Sequence, residues 1–369
     1  MWTTMNEGGM NLKKAIPFLL VAALVFAWVS SIEVKKAESE GEETAMMIEA
    51  RQKLFGEEHV NAETGEIDNS KVILSWIGVS NFAAAINGKV VLLNAWIPGG
   101  NESEYVPVTT EELAAASPEA IFIGHAHYDH IDHAAEISEA SGATIVGTPE
   151  HCEAVRADAG NPDGITCTEA LGSNPAPGTT AKAEVIEGVD ITALAHVHSA
   201  HKVPDTEDES KGIFPGKELD SGAQGDLGQL IGALGEDEGG TLMYHFQVDD
   251  FSFVWNDSAG PIKEDAPELM DVMASLPPTD VQLGAIMGLN QYTNGLRDPR
   301  MYIEALKPEV FVPTHHDNWS SPITTAGKKY EPYLTEELNR LPAESRPEVI
   351  FLSDPEDYVN PGKLTFDGK

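Results

Sequence analysis

Apolar residues in the first half of the chain come in short runs separated by turn residues, a strand pattern rather than a helical one. Val72-Ile73-Leu74-Ser75-Trp76-Ile77, residues 81–86 and Val90-Val91-Leu92-Leu93 each have strand length, with Gly78 and Asn87-Gly88 between them. Asn-Gly accepts the left-handed backbone of a tight hairpin, so this stretch predicts antiparallel strands. The period then changes. Residues 111–116 read as a short helix, Ala120-Ile121-Phe122-Ile123 as a buried strand, and Ile131-Asp132-His133-Ala134-Ala135-Glu136-Ile137 carries apolar residues at helical spacing. Thr144-Ile145-Val146-Gly147 and a helix around residues 150–157 continue an alternation that predicts layered α/β packing. Two further β-rich stretches, 183–197 and 241–255, flank an acidic, glycine-rich segment over residues 204–240. So long an insertion is either unstructured or functional, and its start just after a histidine cluster predicts that it shapes substrate access.

The body of the chain starts near Lys71, giving one domain over residues 71–369 preceded by an N-terminal arm at 38–70. Upstream, Lys13-Lys14 precede a largely apolar run over residues 15–32, so residues 1–37 read as a signal peptide or membrane anchor. Export to the periplasm or exterior is the expectation, with membrane contact only if the leader is retained. Formal net charge is −37, which repels nucleic acid and fits a saline exterior where salt screens self-repulsion. The only two cysteines, Cys152 and Cys167, are too far apart for a Cys-x-x-Cys metal clip; after export they either pair or remain two buried thiols.

Nine of the twelve histidines fall in three clusters. The first, His125-Ala126-His127-Tyr128-Asp129-His130, follows the Ala120–Ile123 run and Gly124. In extended chain His125 and His127 point the same way, while Asp129 and His130 lie in the turn before the next helix. Imidazole and carboxylate suit zinc, with manganese or iron as alternatives, and this spacing can feed two ions a few ångströms apart. The other clusters also stand at strand ends: His196 and His198 after residues 191–195, and His315-His316 after Val310-Phe311-Val312-Pro313-Thr314. Parity does not choose between His196 and His198, and either of His315 and His316 can complete a second metal. Asp257 closes a strand at 251–255 and is a candidate bridging carboxylate.

These segments, in this order, resemble the metallo-β-lactamase superfamily and above all its ascorbate-6-phosphate-lactonase-like branch. Ser75-Trp76-Ile77-Gly78 is similar to that branch's opening strand, His125 to His130 to the superfamily signature, His198-Ser199 to its middle-strand His-Ser, Asn256-Asp257-Ser258-Ala259-Gly260 to its Gly-Asp-Thr-Gly, and Pro313-Thr314-His315 to its Pro-x-His. The resemblance implies an αββα sandwich of two mixed β-sheets flanked by helices, with two divalent metal ions at one edge. It assigns His125, His127 and His198 to one metal, Asp129, His130 and His315 to the other, and Asp257 to both. Asn94 stands where the family usually has an aspartate.

Two such ions lower the pKa of a shared water, so a metal-activated hydroxide on an ester or lactone of a small molecule is the expected chemistry. Asp129 or Asp257 would shuttle the proton, and Tyr128 or His316 would polarise substrate or protonate the leaving group. A phosphodiesterase of phospholipase-D type and an iron-dependent redox enzyme are the alternatives that the same ligands permit.

Overall fold

The computed structural model describes residues 40–98, 106–200, 238–288, 290–317 and 326–368. The expected leader and nearly all of the 204–240 insertion lie outside the described residues. The chain divides into two compact units, residues 1–46 and 47–369. Of the first, the described residues 40–46 are helical. Among the described residues no helix is long and apolar enough to cross a membrane.

The second unit holds two seven-stranded sheets face to face. One contains β1 (Lys71–Gly78), β2 (Asn81–Ile86), β3 (Lys89–Leu93), β4 (Ala120–Phe122), β5 (Thr144–Gly147) and β6 (Cys167–Glu169) in that order. The other contains β7 (Thr180–Ala183), β8 (Asp190–His196), β9 (Thr241–Val248), β10 (Phe251–Asn256), β11 (Val281–Ala285), β12 (Val310–Thr314) and β13 (Glu348–Val349). The last strand, β14 (Thr365–Asp367), returns to the first sheet and pairs antiparallel with β1. Both sheets are mixed. Asn87-Gly88 closes the β2–β3 hairpin with positive φ at both residues, as its turn requires.

Period-two alternation sorts the side chains of the second sheet. Leu242, Tyr244 and Phe246 of β9 face the space between the sheets, where Phe122 of β4 packs edge-on against Tyr244 and Phe246 at 5.2 and 5.1 Å between ring centroids. Met243, Leu194 and Val254 point outward under Ile262, Leu269, Met273 and Tyr302 of the covering helices. On the outer side of the first sheet, Leu113, Ile137 and Val155 come from the helices Thr110–Ala115, Ala134–Ser141 and Pro149–Asp158. Layers therefore run helix, sheet, sheet, helix. Leu54, Phe55, Val60 and Ile67 are buried in the same core, so residues 47–70 pack as part of the domain.

β3, β4 and β5 run parallel, as do β10, β11 and β12. Their carboxyl ends carry Asn94, Gly124, Asn256 and His315 at one rim of the sandwich. Ligand-bearing loops in α/β proteins gather at such rims because the scaffold ends there while the backbone stays anchored.

The two cysteines are free thiols. Cys152 is buried in its helix, and the sulfurs are close enough to hydrogen-bond, which raises the Cys152 thiol's pKa.

Candidate metal centre

Two residues past the end of β4, Gly124 releases the chain into the histidine cluster. His125, His127 and His198 come together, with the Nε2 atoms of His125 and His198 3.1 Å apart and the His127 ring edge-on to both. Asp129, His130 and His315 form a second set: Asp129 Oδ2 lies 3.4 Å from His130 Nε2 and 3.5 Å from His315 Nε2. Within each set, one ligand atom per residue lies within 4.8 Å of the others. The ring centroids of His125 and His130 are 3.9 Å apart, so the two sets are adjacent.

Asp257 is fully buried behind both sets. Its Oδ2 lies 2.9 Å from His125 Nδ1 and 3.2 Å from His130 Nδ1, and it accepts a hydrogen bond from Asn94 Nδ2 at 2.8 Å. At His125 the carboxylate on Nδ1 holds the proton there and leaves Nε2 as the lone-pair donor, the usual arrangement behind a metal-bound histidine, whereas His130 Nδ1 is met by the Asn94 amide nitrogen at 2.6 Å. Asp257 Oδ1 is buried without a hydrogen-bond partner. His125, His130 and Asp257 thus form a third set whose ligand atoms lie within 4.8 Å of one another.

Local sequence explains the placement. Asn94 and His315 follow β3 and β12 in the left-handed region, φ 58 and 57, which turns each side chain out of its strand's alternation. Asn94 Oδ1 accepts from Gly124 N at 3.0 Å, tying the two strand ends. Asn81 Nδ2 donates to the main-chain oxygen of Asp129, and its Oδ1 accepts from Trp96 N. Beyond the strands, Ala126 N donates to Glu238 O, while Thr148 and His151 hold the carbonyls of Gly239 and Gly240. The described residues on either side, Ala200 and Glu238, thus both lie at the histidine loop.

Electrostatics favour a cation here. Burial pushes the Asp129 carboxyl up, but His130 and His315 outweigh it and hold Asp129 well below the ordinary carboxylate range. Asp257 is likewise lowered against its burial, by His125 and His130. Burial pushes His125 down to about 3, leaving it neutral and able to donate a lone pair. His130 moves the other way, because Asp129 and Asp257 outweigh its burial. Two ionised carboxylates among imidazoles draw positive charge, and nitrogen and oxygen donors in these proportions fit zinc or a neighbouring divalent metal.

No family model matches the chain. A UPF0173 metal-dependent hydrolase of Pyrobaculum neutrophilum is 31% identical over 129 residues, covering 35% of this chain and 52% of that protein. Another, from Thermococcus kodakarensis, is 28% identical over 235 residues, covering 63% and 79%. The chain spans about half the length of the Pyrobaculum relatives it matches. Among solved structures, a metallo hydrolase from the hyperthermophilic archaeon Ignicoccus hospitalis superposes with a TM-score of 0.52 at 19% identity, covering 81% of this chain and all of that one. This chain has the metallo-β-lactamase fold.

Not every expected residue reaches the cluster. His196 turns away to Tyr302, its Nδ1 2.9 Å from the hydroxyl. His316 is no candidate for catalysis in this geometry: it is buried, stacks on Trp76 at 5.5 Å, and meets Leu352 O through Nε2. The left-handed backbone at His315, just past the end of β12, keeps that ring at the rim and leaves His316 in the core. Tyr128 is half-buried beside Asp129, edge-on to Trp96, and burial with Asp129 and Asp132 keeps its hydroxyl protonated.

Sequence reasoning missed several positions. A β-carbon on Gly124 would stand 2.1 Å from Asp257 Oδ2, so glycine there is a condition of the site; only the abrupt end of the apolar run hinted at it. His133 accepts from Ile97 N through Nδ1. His151 carried no signal at all, since its role is to hold carbonyls nearly ninety residues away.

Proposed function

We propose that this chain is a two-metal hydrolase that cleaves an ester or lactone of a small molecule. The supporting observation is the adjacency of two complete ligand sets, His125/His127/His198 and Asp129/His130/His315, at one rim of the sandwich. Ions held there would supply a water acidic enough to ionise near neutral pH and a Lewis acid for a carbonyl oxygen.

The protein's own groups do the rest. Asp257 and Asn94 fix the ring orientations of His125 and His130 from behind, so little reorganisation is needed on binding. Asp129, held ionised, is the group placed to accept a proton from the attacking water. Tyr128, held protonated, is an O–H donor on the same loop and is the candidate to stabilise or protonate the leaving oxygen. Trp96, packed against Tyr128, supplies an apolar wall.

Metal content of the purified protein, followed by assay against p-nitrophenyl acetate, γ-butyrolactone and bis(p-nitrophenyl) phosphate, tests this reading. Two equivalents of a divalent metal with ester or lactone turnover is the expected result. Preference for the diester would move the assignment to a phosphodiesterase, and one equivalent or none would end the two-metal reading.

We also propose export, on the strength of the basic and apolar N-terminal segment. Intact mass of protein from the native host should place the mature N-terminus between about residues 30 and 40; a mass retaining the leader would mean an anchor.

A further inference from the structure

Outside the ligand sets, one buried ring spends both of its nitrogens on backbone beside the histidine loop. His151 is fully buried. Its Nδ1 accepts from Thr148 N at 3.2 Å and closes a reciprocal cap at the start of the helix Pro149–Asp158. The proton therefore sits on Nε2, which donates to Gly240 O at 2.9 Å and to Glu238 O at 3.1 Å. Thr148 Oγ1 donates to the carbonyl between them, Gly239 O, at 2.7 Å. Burial pushes the His151 pKa down and keeps the ring in this neutral form. The fit is close: a β-carbon on Gly239 would stand 2.7 Å from His151 Cδ2, and one on Gly147 would stand 2.6 Å from Nδ1.

The segment held in this way bonds in turn to the loop that carries the first ligands. Leu242 N donates to Gly124 O at 2.7 Å and Ala126 N donates to Glu238 O at 2.9 Å, one bond on each side of His125. Ala126 also separates His125 from His127, whose rings meet edge-on at 4.7 Å. The rest of the loop is tied elsewhere: Asn81 Nδ2 donates to Asp129 O, and Ala95 N donates to His130 O at 2.7 Å. We infer that His151 is a positioning residue for the His125/His127/His198 set rather than for Asp129/His130/His315: it fixes residues 238–242, and they fix the backbone that aims His125 and His127. A ring can point no better than the backbone beneath it, so freeing residues 124–126 spreads His125 and His127 while Asp129 and His130 keep their own ties. This inference rests on the reading of two separate metal sets.

Two variants of the full chain separate it from a role as a helix cap. His151→Asn keeps an acceptor where Nδ1 stands but cannot reach the carbonyls of residues 238 and 240, whereas His151→Gln keeps a donor at the reach of Nε2 and loses the acceptor for Thr148 N. Zinc titration against a competing chelator should show one equivalent weakened about tenfold or more in His151→Asn, the other unchanged, and both near wild type in His151→Gln. The weakened equivalent should be the one that Asp129→Ala retains, which the double variant reads. In the metal-free proteins, the amides of Ala126 and Leu242 should exchange hydrogen about tenfold faster in His151→Asn only, with that of Ala95 unchanged. Equal weakening of both equivalents, a larger loss in His151→Gln than in His151→Asn, or unchanged exchange at Ala126 overturns the inference. If wild type binds fewer than two zinc ions, the two-set reading fails, and exchange at Ala126 still decides whether His151 fixes the loop.

Discussion

The carboxylate of Asp257 lies against the backbone of Gly124, in the space that a side chain there would fill: a β-carbon would be 2.1 Å from Oδ2 and 2.4 Å from Oδ1. The two residues come from different sheets, one after β4 and one after β10. Their contact is where the sheets meet behind the candidate ligand sets.

Gly124→Ala should therefore displace Asp257 and release the Nδ1 atoms of His125 and His130. The fold should survive, because both sheets and their shared core are untouched, but metal affinity should fall about 10- to 100-fold, as for loss of a group that orients ligands. Titration of apo protein with zinc against a competing chelator reads this directly; unchanged affinity would mean that Asp257 does not orient these rings.

Asp129→Ala removes the oxygen lying between His130 Nε2 and His315 Nε2 while leaving the Asn81 bond to the Asp129 main chain intact. Metal content should drop by one equivalent and hydrolysis by about 100-fold or more, with the far-ultraviolet circular dichroism preserved. Full activity with a single equivalent would rule out the two-metal mechanism.

Asn94→Asp would supply the carboxylate that the resembled superfamily usually has at this position, but it would set a second negative group against Asp257 Oδ2, where Asn94 Nδ2 now donates. Apo protein should lose stability through like-charge contact and regain it on zinc binding. Thermal unfolding with and without zinc should show a larger metal-induced rise than in wild type; an equal rise would count against this account.

Acid should destabilise the metal-free protein through histidines that must stay neutral. Burial lowers His196 and His316 to about 4 in the folded state, against 6.5 in the unfolded chain. The unfolded chain then takes up protons first as pH falls, so the stability is whole above pH 6.5 and lost between there and about 4, by up to roughly 3 kcal/mol per group. Urea midpoints should decline from pH 7.5 to 5.0. His316→Gln keeps a donor for Leu352 O and removes one titrating ring, so its decline should be shallower; an identical slope would clear His316 of the effect.

The strand runs and the His125–His130 motif were legible in the sequence because they are local. Period-two and period-3.6 spacing set which face a side chain takes within a few residues, and four ligands at the end of one strand need no knowledge of the rest of the chain. Five motif segments in order were enough to expect the two-sheet sandwich. What parity left open, tertiary structure decided. β8 ends at His196, whose ring goes to Tyr302, and it is the irregular chain beyond the strand that brings His198 to His125. At β12 the left-handed backbone at His315 carries that ring to Asp129 and leaves His316 under Trp76. Gly124 against Asp257 and Asn94 between two strand ends depend on contacts between segments far apart in the chain. No local period encodes such contacts; they exist only once both sheets have packed and their rims coincide.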